Sequence, residues 1–383
     1  LGRGPDLEGL DVKRKLPEIP PEIEALVPYQ PGKPIEELER ELGISGAIKL
    51  ASNENPLGPS PKAVAAMAAA LANLHRYPDG AGYVLRTALA AKFKVDFAQT
   101  CIGNGSDEII EFLARAYIRP GQEALAAAPS FLMYSKLVQV AGGVLREVPL
   151  KDFRIDLEAL LAAVTPATRL VFINNPDNPA GTAVYTDELA WFLDKLPAGV
   201  LVVLDEAYID FATDPRVSQG VDFLGHETPV LVMRTFSKSA GLAGLRVGYA
   251  LGPAEVIAAF DRVRQPFNTS SLAQVGAAAA LTDDEFWAAT QALVAEGLAE
   301  FYACFERLGL FYVPSQTNFV LVKVGPQAAA VAEALLKRGV IVRAMTSYGL
   351  PDFLRISVGL MEENRRFTAE LADILAALPA GRG

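Results

Sequence analysis

Histidine is nearly missing from this 383-residue chain. There are two, His75 and His226, and neither has partner residues that suggest a triad or a metal site, so no histidine-based mechanism is supported. Cysteine is equally scarce. Cys101 and Cys304 lie far apart with no CxxC or Cys/His grouping, which excludes a disulfide scaffold and a zinc site and suits a reducing cytoplasm. Both read as small core residues. Clustered Lys/Arg is absent as well. With a net charge of −10 the chain has no basic tract to neutralise phosphates, so nucleic acid is not an expected partner. No long apolar run is present either: "AVAAMAAALANL" falls short of the roughly 20 residues a membrane span needs and reads as a helix. The opening "LGRGPDLEGLDVKRKLPEIPPE" mixes charge with proline and has no apolar stretch, so it is not expected to be a signal peptide.

What remains is an ordinary globular composition, 51% hydrophobic and 21% charged, long enough for a sizeable core in two or three domains. Residues 1–50 are proline-rich and charged with one short amphipathic helix, and read as an arm. From 51 to 272, short β-prone runs alternate with helical patterns: "EALAAAP", "GVLREVPL", "RLVFINNP", "GVLVVLDEAY", "PVLVMRTF" and "RVGYALG". Several are apolar at consecutive positions, as strands buried on both faces are, which predicts an α/β fold with a largely parallel sheet. From 273 to 383 the pattern is α+β. One long helical stretch, "AQVGAAAALTDDEFWAATQALVAEGLAEFYACFERLG", precedes the strands "NFVLVKV", "VIVRAMTS" and "FLRISVG", the helix "AAAVAEALLKRG" and a final helix around "EENRRFTAELADILAAL".

Ligands of open α/β sheets bind at the carboxyl ends of the strands. The residues found there are Asn178 in "NNPDNPAGT", Asp205 and Tyr208 in "DEAY", and Lys238 in "RTFSKS", while "GNGSDEII" is a glycine turn opening a helix at Ser106. Singly, each has a plainer reading. Ser106 with Asp107 and Glu108 makes an ordinary capped helix start, "NPDNPAG" a chain of turns, and Lys238 a solvated loop charge. Their convergence on one sheet edge is what those readings do not predict.

In order and spacing, "NNPDNPAGT", "LDEAY", "TFSKSAGLAGLRVGY" and "FLRISVG" resemble a fold-type I pyridoxal-phosphate (PLP) aminotransferase. "ASNENPLGPSP", "LHRYPDG" and "GNGSDEII" are similar to the histidinol-phosphate aminotransferase family within it. The resemblance runs from about Tyr29 to the C-terminus. It implies a mainly parallel seven-stranded sheet between helices, a smaller α+β domain joined by the N-terminal arm, and a cytoplasmic homodimer acting on an amino donor and a 2-oxo acid. Lys238 matches the lysine that binds the cofactor covalently and serves as base and acid for the Cα proton, and Asp205 the carboxylate paired with the ring nitrogen. Tyr208 and Asn178 match donors to the ring's phenolic oxygen, and Phe131 the aromatic stacked on the ring. The backbone of Ser106, Asp107 and Glu108, with Ser237 and Arg246, matches the phosphate cup, and Tyr77 a tyrosine reaching the phosphate from the partner subunit. For substrate, Arg355 matches the anion-binding arginine, Arg343 is read as a second charge, and Tyr29 matches a tyrosine lining the pocket. The chain departs from the family at Ala180, where threonine is common.

The resemblance implies reversible amino transfer between L-histidinol phosphate and 2-oxoglutarate. An aromatic amino-acid aminotransferase would keep every PLP residue and Arg355, and a threonine-phosphate decarboxylase shares the scaffold. A nicotinamide oxidoreductase is disfavoured, because no GxGxxG follows an early strand, and a PLP-fold regulator would be expected to carry a DNA-binding segment, which is not visible in this acidic sequence.

Overall fold

A computed structural model describes residues 16–28 and 32–377 of the chain. Twelve strands run through it: β1 (Ile48–Leu50), β2 (Thr100–Gly103), β3 (Glu123–Ala128), β4 (Val144–Pro149), β5 (Thr168–Asn174), β6 (Leu201–Asp205), β7 (Val230–Thr235), β8 (Gly248–Leu251), β9 (Phe311–Val313), β10 (Phe319–Lys323), β11 (Val340–Ala344) and β12 (Phe353–Ser357). Seven form a sheet in the order β2-β8-β7-β6-β5-β3-β4. The neighbouring pairs from β7 through β4 are parallel, and β8 runs antiparallel to both its neighbours. This is the mainly parallel seven-stranded sheet expected. All residues of β6 and β7 are buried, as the unbroken apolar runs "LVVL" and "VLVM" require of strands covered on both faces. Two separate apolar clusters fill the sheet's two faces. Leu125, Val171 and Val202 belong to one, and Ala124, Leu170 and Leu201 to the other, the alternation of a strand.

The remaining five strands make a smaller sheet in the order β1-β11-β12-β10-β9. β1 pairs parallel with β11, so the segment just before residue 51 is stitched into this sheet. Earlier in the arm, the short helix Pro21–Glu24 rests on helix Met133–Val140: Gln139 Nε2 donates to the Glu22 carbonyl at 2.7 Å and Lys136 Nζ to the Val27 carbonyl. The arm thus touches both sheets' territory.

The long helical stretch read after Leu272 is two helices, Ser271–Ala280 and Asp284–Arg307. The break comes at Asp283. Its carboxylate accepts from Ser60 Oγ and from the Lys62 N–H at 3.2 Å, capping the neighbouring helix Pro61–Ala70 instead of continuing its own. Helix Ser271–Ala280 belongs to the large-sheet core through Ala273, Ala277 and Ala280, whereas Val294, Leu298 and Phe301 of the next helix belong to the small-sheet core. We therefore place the junction between the two units at this break rather than at 272.

Candidate active site

The carboxyl ends of β5, β6 and β7 and the helix that follows β2 border a cavity of 690 Å³, within the range of about 300–1,000 Å³ typical of small-molecule sites. Ser106, Asp107, Phe131, Asn178, Asp205, Tyr208, Ser237, Lys238 and Arg246 all line it. Nine residues expected from the motifs are therefore brought together.

One end of the cavity is the start of helix Ser106–Tyr117. Gly105 precedes it at φ 80°, and a Cβ there would lie 2.7 Å from Arg246 Nη2, so the guanidinium lies against bare backbone. Gly248 of β8 likewise leaves no room for a Cβ, which would come within 2.7 Å of the Ser106 nitrogen. The first-turn N–H groups have no partner within the helix and carry its positive dipole end. Ser237 Oγ accepts from Thr235 Oγ1 at 3.0 Å. Arg246 Nη2 donates to Asp107 Oδ2 at 3.3 Å; burial raises the Asp107 carboxyl and Arg246 opposes that rise. The side chain of Glu108 turns away from the cavity. Its Oε2 accepts from the Asn104 N–H and from Asn268 Nδ2, both at 2.6 Å, so its backbone N–H is what it offers a ligand.

The floor is Asp205, at the end of β6. Its carboxylate accepts from the Tyr134 hydroxyl at 2.6 Å and from the Ala207 N–H at 3.2 Å. Burial nevertheless pushes its carboxyl up to about 6. Tyr134 stacks on Phe172 at 4.5 Å and meets Phe131 edge-on at 5.6 Å. Neither Tyr134 nor Asn53 was among the expected site residues. Tyr134 lies one helical turn from Phe131, and Asn53 lies inside "ASNENPLGPSP", so spacing and motif carried a faint signal for each.

Lys238 Nζ reaches the Ser52 carbonyl only at 3.4 Å and lies 5.7 Å from the centre of the Tyr208 ring. Burial, with the Arg355 and Arg246 charges, pulls its amine down to about 8, against the pull of Glu54. The Tyr208 hydroxyl accepts from Asn53 Nδ2 at 3.0 Å. Asn53, in turn, is tied to Ser357 of β12 through its N–H and its Oδ1, at 2.9 and 2.7 Å. In the asparagine motif Asp177 Oδ2 accepts the Ala180 N–H at 2.9 Å. That turn uses only the backbone of residue 180, so a hydroxyl there is not needed to close it.

Arg355 approaches from the small sheet. Its Nη1 donates to Asn178 Oδ1 at 2.6 Å and its Nη2 to the Ala51 carbonyl at 3.0 Å, while its buried Nε–H has no partner. Arg343 is its register partner across β11 and β12, so both leave the same face of the sheet. Tyr77 is placed elsewhere: it is 83% exposed and stacks on Phe267 at 4.9 Å. Tyr29 lies outside the described residues.

The donor set fits pyridoxal phosphate. It offers an amine with one long contact, a carboxylate at the end of β6, and a helix start with a serine and an arginine for a dianion. The unpaired Nε–H of Arg355 is a separate buried cationic donor for a substrate anion. Among the described residues no cluster of metal-ligating side chains is present, and no helix is long and apolar enough to cross a membrane.

The sequence profile of "Aminotransferase class I and II" matches residues 45–371. The chain is 49% identical to "Histidinol-phosphate aminotransferase 2" of Pseudomonas aeruginosa over 358 residues, covering 93% of this chain and 97% of that one. It is 48% identical to the protein of the same name from Ralstonia nicotianae, over 94% of this chain and 98% of that one. Among solved structures, the histidinol-phosphate aminotransferase of Sinorhizobium meliloti in complex with pyridoxal-5'-phosphate superposes with a TM-score of 0.87 at 31% identity, covering 96% of this chain and all of that one.

Proposed function

From the premise that the chain belongs to the class I and II aminotransferases, we propose the part each residue of the cavity plays. The protein is a PLP-dependent transaminase, and its reaction is reversible amino transfer between L-histidinol phosphate and 2-oxoglutarate, giving imidazole acetol phosphate and L-glutamate. The observation that carries the reading is the segregation of charge, with sites for one cofactor lining the cavity on the large sheet and a separate arginine on the small sheet, bonded to Asn178 of the cavity wall.

Lys238, Asp205, Tyr208, Asn178 and Phe131 would hold the ring, and Ser237, Arg246 and the N–H groups of Ser106, Asp107 and Glu108 the phosphate. When bound, pyridoxal phosphate supplies an electron sink that makes the proton on the amine-bearing carbon removable. Asp205, ionised above about pH 6, would keep the ring nitrogen protonated. Lys238 must be neutral to attack a carbonyl or lift a proton. With its amine near 8, roughly a tenth of the molecules are ready at pH 7, far more than an ordinary lysine offers. Lys238 Nζ would then take the proton from the amine-bearing carbon and hand it on within the same half-reaction, leaving its amine neutral, and the reverse half would run the same transfer backwards. Asn178 links the two sides of the site, because its Oδ1 holds Arg355 in place.

Histidinol phosphate carries a phosphate where glutamate carries a carboxylate. A guanidinium accepts either anion, so Arg355 serves both half-reactions and Arg343 adds charge for the phosphate or the distal carboxylate. Tyr29 keeps its assignment as a substrate-binding residue in this reading. Tyr77, exposed and stacked on Phe267, reaches the phosphate site of a second copy, and the enzyme is a homodimer. The two cysteines are free and buried, which supports a cytoplasmic location.

The test is a half-reaction. The PLP-loaded protein is mixed separately with L-histidinol phosphate and L-phenylalanine, and conversion to pyridoxamine phosphate is followed spectroscopically. Strong preference for L-histidinol phosphate is expected; equal or faster turnover of L-phenylalanine moves the protein to aromatic amino acids. For the dimer, mixing a Tyr77→Ala variant with Lys238→Ala should regenerate some active sites, and no activity beyond either parent refutes the shared site.

A further inference from the structure

Three carboxylates line the cavity, Glu54, Asp107 and Asp205. Asp205 is engaged by Tyr134, and Asp107 by Arg246. Glu54 has no part in holding the cofactor. Among the described residues its side chain's only polar contact is an ion pair with Lys49, with Oε2 at 3.2 Å and Oε1 at 3.3 Å, on a side chain half open to solvent. Such a half-exposed pair is weak and is readily exchanged for a better one.

The path of the chain gives Glu54 its place. The Ala51 carbonyl accepts from Arg355, the next carbonyl, Ser52, faces Lys238, and Asn53, buried at φ 53°, turns the chain and holds Tyr208. Glu54 follows, within about 7 Å of Ser52 along the backbone. This run therefore passes the arginine for the substrate's anion, then the amine that attacks at the amine-bearing carbon, then a carboxylate. The amine-bearing carbon of L-histidinol phosphate carries the same three things: a phosphate arm, the amine, and a ring arm.

We propose that Glu54 recognises the ring of the amino donor by accepting an N–H of its imidazole. This rests on the amino-transfer reading above and adds to it the feature that separates histidinol phosphate from an aromatic amino acid. An imidazole presents at least one N–H in every protonation state, and two when cationic, whereas a phenyl ring presents none. A carboxylate is acceptor-only and strengthens that bond with its charge. A site arranged to hydrogen-bond a substrate group also rejects the analogue that lacks it.

The experiment compares kcat/KM for L-histidinol phosphate with kcat/KM for L-phenylalanine in the PLP-loaded protein and in two variants. Glu54→Leu removes the acceptor, and the ratio should fall tenfold or more. Glu54→Gln keeps an uncharged acceptor oxygen, and its ratio should lie between the two. A ratio within twofold of the unaltered protein in Glu54→Leu, whether both substrates weaken together or neither does, overturns the assignment of Glu54 and leaves the amino-transfer reading intact. Failure of the unaltered protein to convert L-histidinol phosphate overturns both.

Discussion

Asp205 in the cavity lining and Arg355, bonded to the lining residue Asn178, are both buried charges, yet they are finished to different degrees. Asp205 already accepts from Tyr134 and from the Ala207 N–H, and Tyr134 is itself clamped on Phe172. Ser237 is held by Thr235, and Arg246 lies against the bare backbone of Gly105. On the small sheet, Arg355 keeps a buried Nε–H without a partner, and the side chain of Arg343 beside it makes no hydrogen bond or ion pair among the described residues. A wall that meets one unchanging cofactor gains from being paired in advance, since rigid placement removes ordering entropy at each turnover. A wall that meets a phosphate in one half-reaction and a carboxylate in the other gains from spare donors. Residues on the two walls should therefore fail in different ways.

The largest loss should come from Lys238→Ala, about 10⁴-fold or more in kcat, because it removes both the covalent anchor and the proton carrier. Rapid amino transfer by that variant would contradict its assigned role. Asp205→Asn should cost about a thousandfold in exchange of the Cα proton while PLP still binds, and retained exchange would refute the sink assignment. The same change should make the cofactor-free protein more stable at pH 7. Asp205 has its folded carboxyl raised from the usual 3.8 to about 6, so its burial penalty is absent below pH 4 and grows as pH rises through that window. Removing it should return roughly 1–3 kcal/mol, read as a higher Tm of the cofactor-free form.

Smaller effects sharpen the contrast. Covalent capture of PLP by the cofactor-free protein should rise about tenfold per pH unit from 6 and level off near 8, where the Lys238 amine is half neutral. A plateau only above pH 10 would mean that burial and the neighbouring arginines do not act on it. Arg343→Ala should lower kcat/KM for L-histidinol phosphate about tenfold with kcat little changed, the mark of lost substrate binding. Tyr134→Phe should be mildest, a few-fold in kcat, because the Ala207 N–H still holds Asp205.

Much of this was legible in the sequence because the strands that carry the site are unbroken apolar runs ending in polar residues. β6 and β7 deliver Asp205 and the "TFSKS" turn directly. β1 and β9, at three residues each, are too short to leave a pattern, and β2 was hidden in what reads as a glycine turn. The helical period carries straight through Thr282–Asp283, so only the long-range contact of Asp283 with Ser60 reveals the break. Asn53 was missed as a site residue for a related reason: its partners Tyr208 and Ser357 lie 155 and 304 positions away, beyond any local spacing rule.

The comparison of the two walls turns on Arg355, and a single-turnover experiment on Arg355→Ala tests it most directly. The PLP form is mixed with L-histidinol phosphate, the pyridoxamine phosphate form with 2-oxoglutarate, and each half is timed in isolation. If one arginine receives both anions, both halves should slow by about a hundredfold or more, while the affinity for PLP stays close to that of the unaltered protein. If one half slows and the other does not, the two anions are received at different places and the account of a shared, partly unpaired wall is wrong.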